Sequence, residues 1–180
     1  MKPQFALSLS LDGIRLLLRA AGGWQSVGDV NLQTPKLAAE LSALRAIAKR
    51  LTPHRLQTKL IIPNDQIRYL SIETGDLDEA SRQSAARKAL VGATPYSVDE
   101  LTFDICAEGS TTHIAAVANE TLKEAEAFAV EHQFNPVSFV AAPKDQRFLG
   151  EPFFGVTAIY KSLNQKNGKV EPDGIRVVVT

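Results

Sequence analysis

The stretch ATPYSVDELTFDI, Ala93 to Ile105, follows directly on DEASRQSAARKALVG, which has the spacing of an amphipathic helix. A helix that meets Gly92 and then Pro95 must stop, because glycine accepts the left-handed backbone of a helix end and proline cannot continue the hydrogen-bond ladder. Ser97 to Glu100 read as a turn, and Leu101 to Ile105 enter a strand whose alternation continues through Cys106, the single cysteine of the chain. Helix, break, acidic pair and strand in this order make an α/β unit.

The flanking segments extend that pattern. FALSLSLDGIRLLLRA is two strand-like runs around Asp12-Gly13, the strongest short hairpin signal. GWQSVGDVNL adds a third strand, with Trp24, Val27, Val30 and Leu32 alternating imperfectly. TPKLAAELSALRAIAKRLTP predicts a helix capped by Thr34, opened by Pro35 and barred by Pro53, with Leu37, Leu41, Leu44, Ile47, Ala48 and Leu51 on one face. KLIIPNDQIRYLSIETG predicts a buried run at Leu60, Ile61 and Ile62, a turn at Pro63-Asn64-Asp65, and a half-exposed strand carrying Tyr69, Ser71 and Glu73 on one face. STTHIAAVANE reads as a strand, TLKEAEAFAVEHQF as a helix and PVSFVAAP as a further buried strand. Strands alternating with helices after an opening hairpin imply the α/β class with a mixed sheet.

From Lys144 onward Gly, Pro, Asn and Lys surround short apolar patches, the composition of a linker or peripheral segment. DGIRVVVT at the end predicts a last strand and echoes DGIRLLLR at Asp12; four letters without a longer repeat do not imply duplication. GEPFFG predicts a loop pinned by Phe153 and Phe154.

Lys plus Arg and Asp plus Glu number 20 each in 180 residues, so no global field draws the chain to nucleic acid or anionic lipid. A lone Cys106 on an alternating strand reads as an inert, half-buried thiol suited to a reducing cytosol. Asp12, Arg15 and Arg19 interrupt the N-terminal apolar run, which excludes a signal peptide, and no uninterrupted apolar run reaches the roughly 18 residues of a membrane span. The chain is expected to be soluble as written.

Motifs that carry chemistry are missing: no GxSxG, HExxH, GxxxxGK[ST] or GxGxxG occurs. His54, His113 and His132 fall in a post-helical turn, a strand and a helix end, each without neighbours at metal-ligand spacing. The paired carboxylates, Asp99-Glu100, Asp76 with Asp78-Glu79, and Asp104 with Glu108, read as caps and exposed strand positions rather than as acid and base around a cleft. Neither a catalytic residue nor a metal ligand is assigned.

Three segments resemble the actin-like ATPase superfamily, and within it the group of the pilus assembly protein PilM and the cytoplasmic domain of the type II secretion platform protein GspL. ASRQSAARKALVGATPYSVDELTFDI is similar to that group's helix, Pro-[Phe/Tyr] break, acidic pair and strand. THIAAVANETLKEAEAFAVEHQFNPVSFVAAP is similar to its strand, helix, turn and strand, and KLIIPNDQIRYLSIE to its hairpin. The likeness spans Lys59 to Pro143 and, more loosely, the N-terminal hairpin.

The resemblance implies an actin-like (ribonuclease H-like) subdomain at 1–67 and 119–143, a small inserted α+β subdomain at 68–118, and a peripheral segment at 144–180. ATP-binding members carry an Asp-x-Gly phosphate loop on the first hairpin. Aligning LSLSLDGIRLLLR to it puts Ser8 at the Asp and Ser10 at the Gly, with Asp12-Gly13 in the turn, which removes the anionic metal contact. The chain covers roughly half of a full actin-like fold, without a second phosphate loop, so ATP hydrolysis by this chain alone is not expected.

The expected function is a non-catalytic, protein-binding scaffold on the cytoplasmic, inner-membrane side of a bacterial pilus or type II secretion-like assembly, a role compatible with its being part of a longer chain. Its partners are other assembly-platform proteins, with no nucleic acid, no cofactor, and the membrane reached only indirectly. Asp99 and Glu100 on the inserted subdomain and the apolar Phe153 and Phe154 near Phe148 are the candidate interaction residues. The alternative is an actin-like ATPase that binds ATP once a second domain completes its cleft. A ribonuclease H-like nuclease needs convergent carboxylates for two metals, and the first hairpin offers only Asp12.

Overall fold

A computed structural model describes residues 1–53, 55–145, 147–163 and 169–180; His54 lies outside them. Strands β1 (Phe5–Leu9) and β2 (Gly13–Ala20) form the antiparallel hairpin that Asp12-Gly13 predicts, and β3 (Gly23–Asn31) pairs antiparallel with β2. Helix α1 (Leu37–Leu51) begins two residues later than Thr34-Pro35 predicts. The Thr34 hydroxyl accepts from the Lys36 amide at 3.3 Å, so it closes a turn before the helix instead of capping it. At the other end Thr52 is extended, as a residue preceding proline must be.

Strand β4 (Thr58–Ile62) runs parallel to β1, and β8 (Pro136–Ala141) runs parallel to β4. Every residue of β4 and β8 is buried, because a parallel strand in mid-sheet is covered on both faces. With β9 (Phe153–Val156) at the far edge, the order in this six-stranded sheet is β3-β2-β1-β4-β8-β9. One face, through Phe5, Leu7, Leu16, Leu60, Ile62 and Phe139, packs on α1 and on α3 (Asn119–Glu131). Only Leu41, Leu44 and Ala48 of α1 are buried; Ile47 and Leu51 are 44% and 52% exposed, so the apolar face meets the sheet along a narrower line than its spacing predicts.

Between β4 and α3 the chain builds a second sheet, ordered β5-β7-β6 and wholly antiparallel, from β5 (Ile67–Glu73), β6 (Leu101–Glu108) and β7 (Thr111–Ala118). Helix α2 (Glu79–Leu90) covers one face through Ala86 and Leu90. Asp78 caps α2 by accepting from the Ser81 amide at 2.8 Å. Buried Arg82 ties the helix to the β6–β7 hairpin by donating to the carbonyls of Gly109 and Thr111 and to the Thr112 hydroxyl. The other face, through Ala115 and Val117, joins the main core.

Within 144–180 several described residues, among them Phe148, Phe154, Tyr160 and Val177, are buried, so the segment is more than a peripheral linker. The GEPFFG segment, expected as a loop, supplies β9 (Phe153–Val156), which pairs antiparallel with β8 and covers that edge of the main sheet. Helix α4 (Ala158–Leu163) follows, and Tyr160 packs with Val137 and Val170 on the face opposite α1. The expected last strand is reduced to one parallel bridge, Val179 to Trp24, because the segment crosses the sheet face and meets the β3 edge only at its end.

Leu60→Ala should cost roughly 2–5 kcal/mol of stability in urea unfolding, since the site is fully enclosed. Ile47→Ser, on the line that sequence spacing assigns to the core, should change stability by less than about 0.5 kcal/mol, because that side chain already faces water.

Candidate functional site

The β1–β2 turn opens onto a cleft of about 440 Å³ whose wall includes Ser8, Ser10, Asp12, Arg15 and Asp29, with Val177 closing one side. Within the turn Ser10 and Gly13 bond to each other. The Gly13 amide donates to the Ser10 hydroxyl oxygen at 3.2 Å, and the Ser10 amide donates to the Gly13 carbonyl at 3.1 Å. A phosphate cradle works by aiming unengaged amides at the anion; here the Gly13 amide is engaged within the turn. Arg15 is bound to Asp29 at 2.7 Å, and with Asp12 the charged groups of the wall sum to one negative charge, which opposes a phosphate.

Asp99 and Glu100 stand together in the 3₁₀ turn that leads into β6. Asp99 is exposed and pairs with Arg87 at the end of α2, while Glu100 completes a capping box with Ser97, accepting from its hydroxyl at 2.9 Å. Phe153 and Phe154 are not brought to this surface. Phe154 and Phe148 are buried in the main core, and Phe153 is half-buried against the opposite face of the sheet, so no exposed aromatic patch forms there. Burial pushes the Cys106 thiol up from its ordinary value, as an inert thiol requires. His113 is buried between the Ser71 hydroxyl, 2.7 Å from Nδ1, and the Glu108 carboxylate, 3.0 Å from Nε2. Among the described residues no group of His, Cys, Asp and Glu could hold a metal ion, and no helix is long and apolar enough to cross a membrane.

Beneath the C-terminal segment lies a cluster of charges that sequence reasoning missed. Lys59 on β4 is 1% exposed, and its ammonium contacts Glu151 at 2.8 Å and Asp173 at 2.6 Å. Asp173 also accepts from the Arg19 guanidinium at 2.9 Å. The Trp24 ring lies 4.8 Å from the Lys59 ammonium and 4.6 Å from the Arg19 guanidinium, a cation–π site for both. Glu151 Oε1 is buried without a hydrogen-bond partner. Burial, helped by the nearby Asp173 and opposed by Lys59, pushes the Glu151 carboxyl up to about 7. Burial also acts on Asp173, but the bonds from Arg19 and Lys59 outweigh it and hold its pKa below the ordinary value. The available signal was a lysine abutting the apolar run LIIP: a charge on a buried strand needs a partner.

No protein-family model matches this sequence, and no curated protein matches it. Solved structures do. The chain is similar to one in the "PilM-PilN type IV pilus biogenesis complex", with a TM-score of 0.59 at 14% identity, over 79% of this chain and 48% of that one. It is similar to the cytoplasmic domain of EpsL, an inner membrane component of the type II secretion system of Vibrio cholerae, with a TM-score of 0.56 at 12% identity, over 97% of this chain and 79% of that one. The chain thus spans about half the length of the chain it matches in that complex. At these identities the likeness establishes the fold alone, an α/β architecture shared with these two structures.

The charge cluster makes stability depend on pH in a defined sense. Glu151 holds its proton more tightly folded than unfolded, so its contribution is complete below its ordinary value near 4.5 and is lost as pH rises through about 7. Asp173 acts oppositely, its contribution being lost as pH falls through its lowered folded value. Thermal unfolding should therefore show a maximum in mildly acidic buffer. Glu151→Gln should remove the decline between pH 5 and about 7, whereas Lys59→Met, which leaves buried Glu151 without its cation while Asp173 keeps Arg19, should cost roughly 3–5 kcal/mol.

Proposed function

We propose that this chain is a non-catalytic, protein-binding module of a bacterial pilus or type II secretion-like inner-membrane assembly, acting on the cytoplasmic side. The fold it shares with PilM and with the EpsL cytoplasmic domain supports a place among such assemblies. The observation that carries the non-catalytic half is the internally bonded β1–β2 turn. Gly13 and Ser10 spend their groups on each other, and the cleft wall beside them is net negative. An anionic nucleotide meets a Gly13 amide already engaged and, in Arg15, a wall cation already paired with Asp29. The paired acids at Asp99 and Glu100, solvent-facing and held rigid by Arg87 and Ser97, are the surface offered to a basic segment of a platform protein.

A second reading, an ATPase completed by another domain, is favoured by one observation: the cleft of about 440 Å³ opens at the very hairpin where actin-like proteins carry their phosphate loop. The two differ in what Mg-ATP does. A scaffold should give no binding heat on titration and a melting shift under about 1 °C, since only a ligand that prefers the native state raises stability. A clear shift together with turnover would overturn the scaffold. Charge reversal at Asp99 and Glu100 together should weaken capture of a co-encoded platform protein by at least about tenfold, with the fold checked by circular dichroism. Unchanged capture would remove that surface.

A further inference from the structure

The sheet face opposite α1 and α3 is closed by α4 and by the segment that ends the described chain. From Asp173 to Thr180 this segment runs over Lys59, across the apolar floor of Ala6, Leu17, Ile61 and Val140, and onto the β3 edge. Its hold has four parts. Asp173 takes the Lys59 ammonium and the Arg19 guanidinium, the Arg176 guanidinium donates to the Pro143 carbonyl at 2.8 Å, Val177 fills the floor, and at the edge Trp24 donates to the Val178 carbonyl and accepts from the Thr180 amide, both at 2.9 Å.

Each part is replaceable. Lys59 already has a second carboxylate, so removing Asp173 leaves the 2.8 Å pair with Glu151 and strands no buried cation. Arg19 is partly exposed and keeps its bond to the Pro3 carbonyl at 2.8 Å. Between Asp173 and Thr180 only Val177 is buried, while Ile175 is 75% exposed. Held by one carboxylate, one buried aliphatic side chain, the Arg176 bond to Pro143 and two backbone bonds, the segment leaves residues 174–176 and 178–180 exposed over a face that contains Trp24 and two cations.

We propose that residues 173–180 are an intramolecular strap over a peptide-binding groove. The groove's other occupant is an extended segment of a partner protein that carries a carboxylate for Lys59 and Arg19 and, four residues later, an aliphatic side chain for the floor. The spacing comes from Asp173 and Val177, and the charge of the required ligand from the two cations. The strap occupies the groove until such a segment displaces it. The proposal rests on the scaffold function, but its test uses a peptide of this chain, so its failure leaves the ATP and partner-capture results standing.

The test is fluorescence anisotropy of labelled KVEPDGIRVVVT, residues 169–180, against the 180-residue chain. Asp173→Asn in the protein should raise its affinity for the peptide by at least about tenfold, because the groove is vacated more often. Asp→Asn within the peptide, or Arg19→Gln added to the D173N protein, should abolish that gain. Should D173N fold poorly, Val177→Ser loosens the strap with every charge still paired and should give the same gain. Equal affinity of folded wild type and variants, no binding to either folded variant, or indifference to the peptide carboxylate would each overturn the proposal. Self-association of the wild-type chain, read by sedimentation, would assign the groove to a second copy and overturn the partner assignment.

Discussion

Lys59 lies in a central parallel strand, 1% exposed, and an ammonium in that position needs anions that also lack water. Both carboxylates come from the last fifth of the chain, Glu151 just before β9 and Asp173 in the C-terminal segment. That requirement draws residues 144–180 back across the sheet. Gly150 and Gly174 let the two segments meet: both have φ near +80°, and a Cβ on Gly150 would stand 2.3 Å from the Gly174 carbonyl oxygen. The arrangement carries an internal cost, since one ammonium serves two carboxylates and Glu151 keeps an oxygen without a partner.

The two sheets divide the work differently. The main sheet is covered on both faces, and its parallel strands are apolar apart from the Lys59 cluster and a few hydrogen-bonded hydroxyls. The smaller sheet leans on the main core through Ala115 and Val117 and turns α2 and its acidic turn to solvent. Polar groups that could serve chemistry are mostly engaged within the fold: Ser10 with Gly13, Arg15 with Asp29, Asp78 with the start of α2, and His113 with Ser71 and Glu108.

Legibility in the sequence followed the range of the interaction. The Asp12-Gly13 hairpin, the end of α2 at Gly92 and the acidic turn before β6 are local events, and each forms where its residues predict. The start of α1 was misplaced because Thr34 can bond to a nearby amide as well in a turn as at a cap. Phe153 and Phe154 read as an exposed patch because glycines and a proline surround them. Their burial depends on β8 offering an edge, and no local pattern encodes that.

By itself the sequence determined the α/β class, the succession of hairpin, helices and buried strands, the absence of recognisable catalytic motifs, and the stretch Ala93 to Ile105 as the signature of the smaller sheet. These depend on periodicity and turn chemistry, which act over a few residues. Only the tertiary structure decided that Phe148, Phe154, Tyr160 and Val177 join the core, that Lys59, Arg19, Glu151 and Asp173 share one site under Trp24, and that residues 173–180 lie over a sheet face. Those facts require groups up to 154 positions apart to converge, as Arg19 and Asp173 do. Their energies come from excluding water around opposite charges, which exists only once the sheet has closed over them.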